Sequence, residues 1–139
     1  MDADDVAGHA ALAREISIPL AVGENMLTRF AFRDYIAQGA AGFLQPDVTR
    51  IGGVSEWLKV AGLADSNNLP VAPHSGDMMQ IHQHLVAATQ NSPLLEYIPW
   101  GHELFAHPVQ VRNGYAELPT APGASTDMIP EVVARFRVA

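Results

Sequence analysis

Cysteine is absent from this 139-residue sequence, and lysine occurs only once, at Lys59. Without cysteine the chain can form neither disulfides nor thiolate metal sites. Basic residues are scarce, because 8 Lys and Arg stand against 15 Asp and Glu and the net charge is −7. This balance argues against nucleic acid or an anionic membrane surface as the main partner, and it is compatible with a cation site.

Long apolar runs and targeting signals are missing as well. No stretch approaches the roughly 18 apolar residues that a membrane-spanning helix needs. The acidic start "MDADDVAGHA" lacks the apolar core of a signal peptide. We therefore expect a cytoplasmic protein with no membrane partner. The length, with a hydrophobic fraction of 48%, indicates one globular domain whose core is large enough to fold.

Short apolar segments alternate with helical segments over residues 1–99, as in parallel β/α units whose strands are covered on both faces. No nucleotide-binding glycine motif accompanies them. Four units are about half of an eight-stranded barrel, which typically needs about 250 residues. Residues 100–139 are predicted to be an irregular tail of the same domain, with a short strand pair and a final helix. The predicted helices cover 4–17, 28–39, 54–68 and 78–90, and the predicted strands cover 18–24, 41–47, 69–75 and 93–98.

An ionisable residue stands at the end of each predicted strand, at successive spacings of 23, 27 and 22 residues: Glu24, Asp47, His74 and Glu96. Parallel strands joined by right-handed crossovers all end on one face. The four side chains are therefore expected to converge on one rim, which in a β/α barrel carries the active site.

Each of these residues also has an ordinary explanation. Glu24 is compatible with an exposed loop, Asp47 with a turn or a helix cap, and His74 with a hydrogen-bonded loop. Glu96 is harder to explain, because an unpaired carboxylate in an apolar strand is costly to bury. Their recurrence at one repeat length favours a shared site.

Four segments resemble the mandelate racemase branch of the enolase superfamily: "VGEN" at 22–25, "QPDVTRIGGVSE" at 45–56, "PVAPHS" at 70–75 and "LLEY" at 94–97. The order Glu, Asp, His, Glu within them agrees with the C-terminal half of that family's (β/α)7β barrel. The tail departs from the family's Pro-Gly-Leu-Gly-like ending at Ala124 and Ser125, so no role is assigned there.

The resemblance implies a role for each strand-end residue. Glu24 matches the third of three carboxylates that bind Mg²⁺. Asp47 and His74 match a dyad in which the histidine is the base or acid and the aspartate orients it. Glu96 matches the acid that hydrogen-bonds the substrate carboxylate as it becomes an enediolate. The implied substrate is a small carboxylate or acid sugar, and dehydration is favoured over racemisation because dehydratases are abundant among such sequences.

The family's other two metal carboxylates and its Lys-x-Lys motif would precede residue 1, so the Mg²⁺ ligand set is incomplete. Lys59 lies in a predicted helix and cannot replace that motif. We therefore expect a C-terminal half-barrel that is inactive unless the missing half complements it. The alternative from another class is a non-catalytic half-barrel that self-associates through exposed strand edges, since unpaired edges invite association.

Further polar residues are weaker candidates. Asn25, adjacent to Glu24, and Arg29, near the start of the helix that follows, are proposed substrate contacts, although an i,i+4 salt bridge is an ordinary role for Arg29. A transition-metal site would need several of the remaining histidines. Residues i and i+2 of a helix point about 200° apart, which disfavours joint ligation by His82, His84, His102 and His107.

Overall fold

Two short parallel strands and the helices that follow them form the centre of the computed structural model, which describes residues 1–76 and 78–138. Strand β1 (Ala21–Val22) pairs in parallel with β2 (Phe43–Leu44). Val71 joins the other side of β2 through a parallel bridge to Leu44. Four helices accompany these segments: α1 (Val6–Glu15), α2 (Arg29–Ala37), α3 (Val54–Asp65) and α4 (Met79–Ala87). The alternation of parallel strands and helices is as predicted.

The predicted strand at 93–98 was wrong, because the structure gives this segment no ladder. The backbone of Val71 is instead bonded just upstream, where its N–H donates to Asn91 O (2.8 Å) and its carbonyl accepts from Ser92 Oγ (2.9 Å). Farther along, the Ser75 amide donates to the side chain of Glu96 at 2.7 Å. A carboxylate therefore takes an amide that could otherwise bond to a strand backbone.

The core lies between the strands and the inner faces of α2 and α3. Residues 57, 60, 61 and 64 of α3 follow helical spacing and are buried, as expected for an apolar stripe. Trp57 packs in the same cluster as Phe32 of α2 and Leu44 of β2. Its indole N–H donates to Pro46 O at 3.0 Å. This bond fixes the backbone directly before Asp47.

The tail consists of a 3₁₀ helix (Pro99–Leu104), an antiparallel pair of β3 (Gln110–Arg112) and β4 (Tyr115–Glu117), and α5 (Pro130–Phe136). Asn113 and Gly114 connect the strands with φ of 52° and 83°, as in the tight turns that favour Asn-Gly. The strand pair and the last helix occur where they were predicted. The division of the chain at residue 99 stays a prediction. Within the described ranges, no helix is long and apolar enough to cross a bilayer.

Candidate active site

His74 and Asp47 are directly bonded at the ends of neighbouring strand segments. His74 Nδ1 lies 2.8 Å from Asp47 Oδ2, so the ring donates its Nδ1 proton to the carboxylate. Asp47 is almost fully buried, with 1% of its surface exposed, whereas 13% of the His74 side chain is exposed. In the neutral imidazole this bond leaves Nε2 as the acceptor nitrogen, which is the form that a base requires.

Thr49 holds the other oxygen of Asp47. Its backbone N–H and its hydroxyl both donate to Oδ1, at 2.8 and 2.7 Å. Burial opposes ionisation, but the bonds from Thr49 and His74 outweigh it and hold the pKa of Asp47 below its ordinary value. Asp47 is thus a charged acceptor suited to orient His74.

Glu24 faces the free nitrogen of His74, with Oε1 3.7 Å from Nε2. The preceding Gly23 has a φ of 131°, and a Cβ there would collide with the ring of Phe32. Glycine at 23 therefore lets the chain turn tightly over the core and present Glu24 at the rim. Half of the Glu24 side chain (52%) is exposed, so the carboxylate can accept a further ligand.

Glu96 joins the same group from the next segment. Its Oε2 accepts the Ser75 N–H at 2.7 Å, one residue after His74, which leaves Oε1 free of this bond. Glu24, His74 and Asp47 are thus connected by short contacts, and Glu96 is linked to them through the backbone of Ser75. Their roles in catalysis stay predictions.

Arg50 is a member of this group that sequence reasoning missed. Its Nη1 donates to Glu24 O at 3.0 Å and to the side chain of Asn25, and lies 3.5 Å from Glu24 Oε1. Its Nε lies 3.9 Å from Asp47 Oδ2. The position of Arg50 three residues after Asp47 is a signal that could have pointed to it. Asn25 therefore contacts the group through Arg50.

Arg29 makes its contacts with α3 and with a neighbouring aromatic ring. Its Nη1 donates to both carboxylate oxygens of Glu56, at 2.6 and 2.8 Å, and its guanidinium stacks over Phe30. The ion pair links α2 to α3, rather than one turn of a helix to the next. None of the contacts described for Arg29 joins it to His74, and its substrate role remains a prediction.

His82 is fully buried, with 0% of its surface exposed, and both ring nitrogens are used. Nδ1 donates to Met78 O and Nε2 accepts the Val48 N–H, each at 3.0 Å. Among the described residues, no three His, Asp or Glu side chains could together hold a metal ion. Both ring nitrogens of His82 are therefore engaged in hydrogen bonds to the backbone.

Burial lowers the pKa of His82, although the Asp47 carboxylate and the Met78 carbonyl act in the opposite direction. We expect acidification from pH 7 to pH 5 to lower the free energy of unfolding in part through this residue. An unfolded histidine binds a proton near pH 6.5, whereas the buried ring binds it only at lower pH. For one such group the slope approaches about 1.4 kcal/mol per pH unit between the two pKa values.

Urea unfolding at pH 5 to 7.5, followed by circular dichroism, measures this slope for the chain and for His82→Gln. The variant should show a shallower dependence, because glutamine does not titrate. An equal slope in both proteins would assign the dependence to other groups. Asp47 acts in a separate and more acidic range, since stability from a depressed carboxyl pKa is lost only as the pH falls through it.

A magnesium ion is what the sequence resemblance implies at this rim, and the donor set supports it only in part. Mg²⁺ prefers oxygen ligands in octahedral geometry, and the exposed carboxylate of Glu24 is of the right type. Within residues 1–76 and 78–138, no group of three or more His, Asp or Glu side chains is arranged to hold a metal ion. Glu24 can therefore supply one ligand but not a complete site.

The fold and this rim define one class of protein, a partial β/α barrel with ionisable residues grouped at one end of its strands. The family model of the enolase C-terminal domain-like family matches residues 1–132. The L-talarate/galactarate dehydratase of Salmonella typhimurium is 41% identical over 115 residues, which cover 82% of this chain and 28% of that protein. The L-galactonate dehydratase of Hypocrea jecorina is 34% identical over 143 residues, covering 96% and 32%.

A solved structure shows the same relationship in three dimensions. The L-talarate dehydratase of Polaromonas sp. JS666, complexed with Mg and L-glucarate, superposes with a TM-score of 0.88 at 38% identity, covering 99% of this chain and 36% of that one. The chain therefore belongs to the enolase C-terminal domain-like family of the mandelate racemase and enolase superfamily, and its fold is about half of the barrel. It spans about a third of the length of these relatives.

Proposed function

We propose that this chain forms the base-bearing half of an active site that removes the proton α to a carboxylate, and that the reaction is the dehydration of an acid sugar. The observation that carries the proposal is the His74–Asp47 bond, which leaves His74 Nε2 as a free acceptor 3.7 Å from Glu24. The dehydratase relatives support the choice of reaction, and the complex of one of them with L-glucarate supports the substrate class.

Four side chains share the proposed chemistry. His74 Nε2 takes the α proton while the charged Asp47 stabilises the imidazolium that forms. The imidazolium then returns a proton to the departing β-hydroxyl, which leaves as water. Glu96, when protonated on Oε1, donates a hydrogen bond to the substrate carboxylate as negative charge builds on it. Mg²⁺, held in part by Glu24, would supply Lewis-acid stabilisation of that charge when bound.

The proposal can be tested in a hybrid enzyme. Residues 1–132, the part that the family model matches, would replace the equivalent segment of the Salmonella dehydratase. Galactarate, L-talarate, L-galactonate and mandelate would then be incubated with the hybrid and Mg²⁺ in D₂O. The expected result is a 2-keto-3-deoxy acid that carries solvent deuterium at the former β carbon, together with deuterium at the α carbon of recovered substrate. Deuterium without loss of water would indicate racemisation, and a folded hybrid without exchange on any substrate would contradict the proposal.

A second candidate function, assembly through open strand edges, is favoured by the edge of β1. This strand pairs with β2 and, in the described residues, has no strand on its other side. The nearby Ile18 is 72% exposed. An open apolar edge of this kind favours association. We therefore expect the isolated chain to form dimers or larger assemblies.

Light scattering after size-exclusion chromatography measures the mass of these assemblies. Ile18→Glu should shift the chain toward the monomer by placing a charge at the edge. Val138→Glu adds the same charge at an exposed residue of the tail and should leave the mass unchanged. A folded parent that elutes as a monomer at all concentrations would contradict assembly without affecting the catalytic proposal.

A further inference from the structure

A closed ring of hydrogen bonds runs through the His74–Asp47 pair, and a second histidine completes it. On one side, the Met78 N–H donates to Ser75 O at 2.8 Å, which ties the start of α4 to the segment that carries His74. His82 Nδ1 then donates to Met78 O at 3.0 Å. Met78, the residue before α4, is thus bonded to Ser75 through its N–H and to His82 through its carbonyl.

On the other side, the ring returns to the aspartate. The Val48 N–H donates to His82 Nε2 at 3.0 Å, and Val48 directly follows Asp47. The bond between Asp47 Oδ2 and His74 Nδ1 closes the ring. The separation of 4.0 Å between His82 Nε2 and Asp47 Oδ1 exceeds a hydrogen bond. His82 therefore acts on Asp47 through the Val48 backbone.

The ring requires a neutral imidazole in one tautomer. His82 must donate from Nδ1 and accept at Nε2, and a protonated ring would point an N–H at the Val48 N–H. The imidazole of His82 is fully buried, and an amide left unpaired beside it would be costly. A side chain without a donor in the position of Nδ1 would leave the Met78 carbonyl unpaired, and one without an acceptor in the position of Nε2 would leave the Val48 amide unpaired.

We propose that His82 is a positioning residue, which fixes the backbone of Asp47 relative to His74 and so keeps His74 Nδ1 bonded to the carboxylate and Nε2 facing the rim. This inference rests on the proposed function for the meaning of the His74 tautomer. It goes beyond that function by assigning a task to a histidine of α4 that touches neither substrate nor the carboxylate of Asp47.

Two substitutions separate the two bonds of His82. In His82→Gln, the amide oxygen reaches the position of Nε2 and can still accept from Val48 N–H. In His82→Asn, the shorter amide nitrogen can replace Nδ1 and bond Met78 O, but it cannot reach Val48. His84→Asn is the matched control, because His84 lies on the same helix and its Nε2 is 3.4 Å from Ser125 Oγ, outside the ring.

The measurement is two-bond ¹H–¹⁵N NMR of the histidine rings in the 139-residue chain, at a pH of about 8.5, where ordinary histidines are neutral. Amide exchange of Val48 is recorded on the same samples, and the amides of α2 and α3 report that the fold is kept. The parent, His82→Gln and His84→Asn should show His74 with its proton on Nδ1. In His82→Asn the Val48 amide should exchange at least about tenfold faster, and His74 should acquire the Nε2-protonated form.

A folded His82→Asn in which His74 keeps its Nδ1 proton and Val48 its protection would overturn the inference. If the asparagine variant does not fold, the glutamine variant decides. A folded His82→Gln that keeps both signals supports the inference, and one that keeps the Val48 protection but loses the His74 tautomer overturns it. Because these readouts need no substrate, they also distinguish failure of this inference from failure of the proposed reaction. In an active hybrid, His82→Asn should lower kcat about 10- to 100-fold with KM unchanged, as loss of a supporting contact does.

Discussion

Replacing His74 by asparagine is expected to lower α-proton exchange in the hybrid enzyme about 10²- to 10⁴-fold, the range over which a positioned acid or base contributes. The asparagine amide can still donate to Asp47 Oδ2 and preserve the packing around the carboxylate. It offers no nitrogen in the position of Nε2, where the described structure leaves a free acceptor beside Glu24. Exchange in D₂O, followed by NMR of galactarate or L-talarate, measures the effect.

The matched control for this prediction is His107→Asn, because His107 is an exposed histidine in the tail. It should exchange deuterium at the rate of the unsubstituted hybrid. Circular dichroism should show that both variants are folded. If His74→Asn exchanged as fast as His107→Asn, another residue would have to be the base, and the proposed role of the Asp47–His74 pair would be wrong.

The repeat of strands and helices made the placement of the rim residues predictable. A parallel strand that follows a helix must end on the same face as its neighbour, so the spacing of Glu24, Asp47 and His74 was sufficient to predict their approach. Family membership and half-barrel fold were confirmed by the comparisons. The half-barrel follows from chain direction and local periodicity, whereas the family was predicted from the resemblance of four short segments.

The supporting contacts were not predictable in the same way. His82 and His84 alternate in sequence, and only the rotation of α4 against its neighbours decides that the first is fully buried while the second lies toward Ser125. That rotation depends on tertiary packing. Arg50 was missed for a related reason, because a long side chain can reach several partners from one helix or turn.

The misplaced strand at 93–98 shows a different limit. Its apolar sequence fits a strand, but pairing requires free backbone groups on the neighbouring segment. Asn91 and Ser92 already bond Val71, and the Glu96 carboxylate bonds the Ser75 amide. The Glu96 side chain thus bonds a segment that a strand at 93–98 would have bonded through its backbone. This bond places Glu96 next to Ser75, the residue that follows His74.

Replacing Glu24 by glutamine is expected to weaken Mg²⁺ binding by the hybrid enzyme on the order of tenfold or more, because the affinity of hard-cation sites follows the number of charged oxygen ligands. Glutamine keeps the length of the side chain and one oxygen that can accept from Arg50. It removes the charge from the half-exposed carboxylate that faces His74 Nε2 at 3.7 Å. Calorimetric titration with Mg²⁺ measures the change in the absence of substrate, so the result does not depend on turnover.

Glu103→Gln provides the control, since Glu103 is an exposed carboxylate of the tail and should not affect the metal. The isolated chain provides a second comparison, and it should bind Mg²⁺ far more weakly than the hybrid because Glu24 alone supplies one charged oxygen ligand. Equal Mg²⁺ affinity in the hybrid and in Glu24→Gln would place Glu24 outside the metal site. Its proximity to His74 would then be explained by the bonds of Arg50, which hold the segment after β1 against the loop that carries Asp47.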